Sequence, residues 1–259
     1  MIAQVNTPRQ RQRFLNACRG KLCCGATLPL ALQLLGKAQP GRFFAGPTLA
    51  LDIGGRTAWA AGHANPEELA SFLNFCGCRA VILDEAECPP PVGWQKTCDH
   101  TIFGLAAGEQ LPLPAQTEAQ KALWDSLTFV GDPASGPVAE NLFPDRPARR
   151  DDFYSELCTK RSRGKALVWT LEQGGNIVCT VGAYALCNGQ AYMACGQTAE
   201  ALRGQRVGGR LIVQMANALS AQGDQPVFLC SPERVHFYTQ LGFHPLGTLA
   251  RYESPIGKD

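Results

Sequence analysis

Along the chain the spacing of apolar residues becomes regular only from about residue 150 onward. Before that point, residues 8–19 read as a short polar helix and residues 28–37 as a more apolar one. Two apolar runs, Thr48 to Ile53 and Thr57 to Ala61, flank Gly54-Gly55 and predict a hairpin. Asn65-Pro66-Glu67-Glu68 has the form of a helix start. Asn caps, Pro sits in the first turn, and two acids favour the positive end of the helix dipole. That helix is expected to reach about Cys76, with a strand from Ala80 to Leu83 after it. Residues 88–93 form a loop and residues 101–107 a further strand. Pro112, Pro114, Pro133, Pro137, Pro144 and Pro147 mark 108–150 as a connecting region of irregular backbone. One helix-capable piece, Glu118 to Leu127, interrupts it.

Past residue 150 the elements follow one another closely. Asp151 to Arg163 is helical, with Phe153, Leu157 and Cys158 on one face. Strands at 165–171 and 177–186 are joined by a Gly-Gly-Asn turn, and Asn188-Gly189 leads into a third strand, Ala191 to Thr198. A helix over 206–221, a strand over 227–230, a helix over 233–241 and a strand over 246–252 complete the chain. Hairpins followed by alternating strands and helices predict an α/β (mixed α+β) fold, a central twisted mixed sheet flanked by helices. A smaller N-terminal α/β domain over residues 1–110 would precede a second domain over 111–259, whose core is 150–252.

Composition narrows the function. The chain has 259 residues, 45% of them hydrophobic and 18% charged, which suits a folded protein with a sizeable core. A net charge of +2 gives no reason to expect nucleic acid as a partner. No apolar run is long enough to span a bilayer, and the polar, basic opening MIAQVNTPRQRQRF is unlike a secretory signal. A cytoplasmic protein with no membrane partner is the expectation. The 12 cysteines include no CxxC pair, and with 4 histidines they predict free, mostly buried thiols and no metal site. His63 and His100 have no spacing partners.

The segment that carries chemistry is GQTAEALRGQRVGG, Gly196 to Gly209. A strand ends, the chain turns through Arg203 and Gly204, and a helix starts. Glycines in such a turn leave backbone N–H groups bare, and the helix N-terminus adds its dipole, so the segment can cradle a pyrophosphate. Arg203 and Arg206 add positive charge. An ordinary tight turn has the same local pattern. Downstream, FYTQLGFHPLG runs from Phe237 to Gly247 between two strands.

Together, RGQRVGG and FYTQLGF resemble the GNAT superfamily of acyl-CoA-dependent N-acyltransferases. That family's acetyl-CoA motif reads Arg/Gln-x-x-Gly-x-Gly/Ala, and its next motif ends in Tyr-x-x-x-Gly-Phe. The resemblance covers roughly 165–252 and extends back to about 120. It implies acetyl-CoA as cosubstrate, with Gly196, Gln197 and Thr198 pairing the pantetheine amides. Arg203, Gly204, Gln205, Arg206, Val207, Gly208 and Gly209 would hold the pyrophosphate, Ser231 would stand where many members have Asn, and Tyr238 would protonate the leaving thiolate.

Three departures qualify the match. The motif's first glycine is Arg206, which a helical backbone would tolerate. Ser231 replaces the Asn. The fourth-strand segment QAYMACGQT has no carboxylate, and Gln190 cannot act as a base. Base candidates elsewhere are Asp152, Glu172, Glu200 and Glu253, each also readable as a solvated surface carboxylate. A covalent route through Cys195 lacks a flanking His or cation.

The resemblance implies an N-acetyltransferase acting by direct transfer on a primary amine of a small molecule or peptide. The competing reading is a catalytically inactive acyl-CoA-binding sensor or interaction module. Residues 1–110 resemble the front half of such a domain without its phosphate turn. A degenerate second copy and an unrelated α/β cap both remain open, with either walling the acceptor site or supporting a homodimer. Trp124, Phe129, Phe153, Tyr154 and Trp169 are candidates for an acceptor pocket, although aromatic residues at such positions more often belong to the core.

Overall fold

In chain order the elements are β1 (Ala3–Gln4), α1 (Pro8–Cys18), α2 (Cys24–Leu35), β2 (Phe43–Ala45), β3 (Thr48–Gly54), β4 (Thr57–His63), α3 (Pro66–Phe75), β5 (Ala80–Leu83) and β6 (Gln95–Gly104). There follow α4 (Glu118–Asp125), β7 (Thr128–Val130), α5 (Ser135–Leu142), α6 (Pro147–Arg161), β8 (Leu167–Gln173), β9 (Asn176–Cys187) and β10 (Gln190–Thr198). The last are α7 (Val207–Ala221), β11 (Gln225–Cys230), α8 (Val235–Gln240) and β12 (His244–Glu253). These belong to a computed structural model that describes residues 1–255. The described residues divide into two units, one of 1–103, 229–235 and 245–255, the other of 104–228 and 236–244.

In the first unit the strands run β1-β2-β3-β4-β5-β12-β6. The predicted hairpin forms, with Thr48 opposite His63 and Gly54 opposite Thr57. β4 then pairs in parallel with β5 over three residues, Thr57–Trp59 against Ala80–Ile82. Leu49 and Leu51 of β3, Leu69 and Leu73 of α3, and Val81 and Leu83 of β5 form the core. α2 begins at Cys24, earlier than the apolar pattern suggested, because the chain reverses at Cys23 (φ 61°) and Cys24 N–H bonds back to the Leu22 carbonyl at 2.6 Å. β6 starts at Gln95, well before the expected Thr101, since its first half is a largely exposed polar run with no apolar alternation to announce it.

β12 belongs to this first unit. Ala250 pairs with Leu83 and Glu253 with Ala80, and Ala250 and Tyr252 enter the core. The sequence-drawn division at 110/111 assigned this strand to the second domain. Its partner lies more than half the chain away, and strand pairing at that separation leaves no local signal.

In the second unit the order is β11-β10-β9-β8-β7. β7 to β10 are antiparallel, and β10 pairs in parallel with β11 over Gln190–Tyr192 against Gln225–Val227. β9 is buried from Cys179 to Ala185. Alternation sends odd-numbered side chains such as Cys179 toward α7 and even-numbered ones such as Thr180 and Tyr184 toward α5 and α6.

The stretch 108–150 is more regular than its prolines suggested. It holds α4, β7, α5 and the start of α6. Pro147 opens α6 and Pro137 is the third residue of α5, positions where a missing N–H leaves no helical bond unmade. The proline-rich segment before α4 is fastened to α7. Asn217 takes the Leu111 N–H at 2.9 Å and returns its amide to the Leu111 carbonyl at 2.9 Å, and Ser220 Oγ donates to the Glu109 carbonyl at 2.7 Å.

Candidate active site

The ladder between β9 and β10 slips at two places: between Tyr192 and Met193, where Tyr184 is the extra residue of β9, and again just past Ala194. Ala194 pairs with Gly182 and Gln197 with Thr180, so two residues of β10, Cys195 and Gly196, face one residue of β9. This is a bulge, and Cys195 takes a left-handed conformation there (φ 52°). On its other edge β10 has already left β11, because their pairing ends at Tyr192 and Val227. Met193 to Thr198 therefore present a strand edge beside a widening gap. Gly196 is exposed, and Gln197 is fixed by its side-chain amide, which donates to the Asn141 carbonyl at 3.1 Å.

The chain then turns through Glu200–Leu202 into α7. Gly204 has φ 77° and Arg206 φ 61°, ψ 6°. Arg206 is the residue preceding α7, and no side chain caps the helix. Among the described residues, the N–H groups of Arg206, Val207, Gly208 and Gly209 bond to no backbone carbonyl, as a helix start requires. They remain available to an anion. Gly208 is dictated by packing: a Cβ there would be driven into Thr198 Oγ1, which also bonds to Cys179 Sγ at 3.4 Å. Gly209 makes room for the end of α8 and the residue after it, since a Cβ would lie 3.0 Å from Leu241 Cδ2 and 3.7 Å from Phe237 Cζ.

The conformation of Arg206 corrects one expectation. The residue is left-handed, a region where a glycine is unstrained and a side chain is not. Its guanidinium reaches the Ala115 carbonyl at 2.7 Å. Arg203 stays exposed, its Nε 3.4 Å from the Thr198 carbonyl, and Gln205 is exposed. Ser231 lies in the first unit, where its hydroxyl donates to Glu233 and holds that carboxyl below its usual range.

Tyr238 on α8 packs against Phe228 with ring centroids 4.6 Å apart, and Phe237 and Phe243 complete the aromatic cluster. Phe228 is the first β11 residue past the parallel pairing, so Tyr238 stands at the strand gap of the second unit.

Two features at the bulge went unseen in the sequence. Tyr184 lies folded over Gly182 of its own strand, where an added Cβ would fall 2.6 Å from the phenol oxygen. Its hydroxyl is buried with no hydrogen-bond partner among the described residues. Burial pushes its pKa well up, with the nearby Cys195 adding to the shift. A chain of rings leads outward from it. Tyr184 meets Phe153 at 5.5 Å, Phe153 meets Phe143 at 5.2 Å, and Arg149 lies over Phe143 at 4.9 Å.

The second unseen feature is charge. Cys195 was expected to have no cation near it, yet Arg149 and Lys160 of α6 lie within electrostatic reach, as does Glu156. The residue is exposed as a whole, but desolvation of the sulfur outweighs both cations and raises the thiol, so it is no activated nucleophile. Glu156 pairs with Lys160 at 2.7 Å. Phe153, Glu156, Leu157 and Lys160 are spaced three and four apart, and that helical spacing is the one signal that could have found them.

The other candidates scatter. Asp152 and Glu200 are exposed, Glu172 sits on β8 opposite Thr128, and Glu253 is in the first unit, paired with Arg251 at 3.1 Å. Gln190 is buried at the start of β10. Of the aromatic candidates, Phe153 alone joins the ring chain to Tyr184; Phe129 packs on Trp169, Trp124 lies under Arg210, and Tyr154 is exposed. All twelve cysteines are free thiols, Cys195 being the exposed one. Among the described residues no group of His, Cys, Asp or Glu could hold a metal, and no helix is long and apolar enough to cross a membrane.

No protein-family model matches the chain, and no curated protein does. Its fold has clear counterparts. A tandem GNAT protein from the clavulanic acid biosynthesis pathway superposes with a TM-score of 0.63 at 13% identity, over 100% of this chain and 99% of that one. A GCN5-related N-acetyltransferase from Sphaerobacter thermophilus gives 0.63 at 13% identity, over 97% and 94%. Another from Kribbella flavida gives 0.58 at 14%, over 90% and 97%. At these identities the likeness is one of fold: the chain has the fold of the GCN5-related N-acetyltransferases.

Proposed function

We propose that the second unit transfers an acetyl group from acetyl-CoA to a primary amine of a small molecule or peptide. The observation that carries this reading is the bare run of N–H groups from Arg206 to Gly209, beside a strand edge opened by the bulge. Such a run suits a pyrophosphate. The contact of Gly208 with Thr198 keeps side-chain bulk out of the turn. In this reading Arg203, Gly204, Gln205, Arg206, Val207, Gly208 and Gly209 hold the phosphates, and Gly196, Gln197 and Thr198 line the pantetheine arm.

Bound acetyl-CoA would supply an activated acyl thioester. Acyl transfer to an amine also needs one group to take a proton from the ammonium and one to return a proton to the thiolate. Tyr238, at the strand gap, is the proposed donor. Glu156 replaces the four carboxylates considered from sequence as the proposed acceptor, because it shares the electrostatic surroundings of the bulge. The non-catalytic alternative draws on one observation, the absence of any carboxylate from β10 itself.

Calorimetric titration with acetyl-CoA and desulfo-CoA tests the cradle, and thiol release across an amine panel tests the transfer. Micromolar binding with amine-dependent thiol release supports the enzyme. Binding without release favours the sensor, and no binding by the folded chain removes both. Loss of turnover in Tyr238→Phe with binding retained would support the donor role; unchanged turnover would remove it.

A further inference from the structure

The first unit repeats the strand scheme of the second. In each, a hairpin's second strand pairs in parallel with the strand after the next helix, and only over its first three residues: β4 with β5, and β10 with β11. Beyond that point both pairs part. The helix start between them differs. At α3, Asn65 Oδ1 accepts the N–H groups of Glu67 and Glu68 at 3.0 Å each, Pro66 has no N–H to offer, and two carboxylates occupy the first turn. A phosphate there would meet filled donors and like charge. The first unit keeps the gap without the cradle.

That gap holds a cavity of about 180 Å³, reached by Ala61 of β4, Asp84 and Glu87 beyond β5, Lys21 of the turn between α1 and α2, Cys24 at the start of α2, and Gly247 of β12. The volume is close to the ~150 Å³ that takes benzene and below the ~300–1,000 Å³ of drug-sized pockets. It suits a compact ligand and excludes a nucleotide. Lys21 and Glu87 form an ion pair and cancel. Asp84 accepts the Ala86 N–H at 3.0 Å and makes no ion pair among the described residues, which leaves the cavity one net negative charge. Cys24 responds to this field: burial and then the charges of Asp84 and Glu87 push it up to about 12, so its thiol is neutral.

We propose that this cavity is a second ligand site, separate from acyl transfer, which binds a small ammonium compound with Asp84 as counter-ion. An alkylammonium places its charge against Asp84 and its carbon chain against Ala61, Leu249 and Ile102. The site stands on the first unit's own residues, so it holds whether or not the second unit acetylates anything.

Calorimetric titration of the full chain with n-butylammonium at neutral pH tests it, with 1-butanol as the uncharged probe. We expect butylammonium to bind and 1-butanol to bind at least tenfold more weakly. Asp84→Asn should weaken butylammonium at least tenfold. Gly247→Val should abolish binding by filling the space, since a Cβ at 247 meets Ile102 Cδ1 at an unstrained 3.7 Å. Both variants should keep the parent's circular dichroism spectrum. Saturating acetyl-CoA should leave butylammonium binding unchanged. No binding by the folded chain, equal binding of 1-butanol, full affinity in a folded Asp84→Asn, or competition by acetyl-CoA would each overturn the proposal.

Discussion

Arg206 offers a perturbation whose sign, as well as its size, is fixed by the structure. Its φ of 61° and ψ of 6° lie in the left-handed region, at the junction between the turn and α7. For a residue with a Cβ that region costs roughly 1–2 kcal/mol. Glycine avoids the cost but loses roughly 0.5–1 kcal/mol more conformational entropy on folding than alanine. Arg206→Gly and Arg206→Ala both delete the bond to the Ala115 carbonyl, so that loss cancels between them. The glycine variant should therefore be the more stable by about 0.5–1 kcal/mol. In a domain of this size that is a difference of about 1–4 °C in Tm. Urea unfolding followed by the fluorescence of Trp124 and Trp169 measures it, as a change in midpoint at constant m. Were residue 206 an ordinary helical position, alanine would win by roughly 0.5–1 kcal/mol. Equal midpoints, or a more stable alanine variant, would refute the left-handed junction and the shape of the cradle built on it.

Gly208→Ala should destabilise by about 1–3 kcal/mol through its clash with Thr198 Oγ1, and Thr198→Ala in the same chain should restore part of the loss. Additive effects in the urea midpoints would show that the two residues do not touch. Tyr184→Phe removes a buried hydroxyl that has no partner, so thermal unfolding should show the variant unchanged or more stable by up to about 1 kcal/mol. A loss of more than about 1 kcal/mol would mean that the hydroxyl is satisfied. Tyr252 is pushed up to about 12 by burial and by its bond to Glu85, against 10.0 for the free phenol. Its folded form holds the proton more tightly, so the stability it contributes is complete below pH 10 and is lost as pH rises toward 12. The stability gap between the parent and Tyr252→Phe should shrink across that range in pH-dependent urea unfolding, and a constant gap would remove the assignment.

Local chemistry determined much of what the sequence disclosed. Asn65-Pro66-Glu67-Glu68 starts a helix where its capping pattern says, because the cap is made by residues three apart. Gly54-Gly55 and Asn188-Gly189 announce their hairpins for the same reason, and the glycines between Arg203 and Gly209 announce a turn that leaves the N–H groups of Arg206 to Gly209 bare. Three things lay beyond it. β12 finds its partner β5 across most of the chain, and neither strand carries a mark of the other. The left-handed state of Arg206 arises where β10, the turn and α7 must join, a condition that an Arg in the sequence conceals. The bulge brings Cys195 of β10 beside Tyr184 of β9 and the charges of α6, three elements whose residues become neighbours through sheet register and helix packing. Capping, turns and periodicity act over a few residues and can be read in order. Register, splay and the electrostatic company of a side chain depend on which distant surfaces pack together, and in this protein they decide where chemistry is possible.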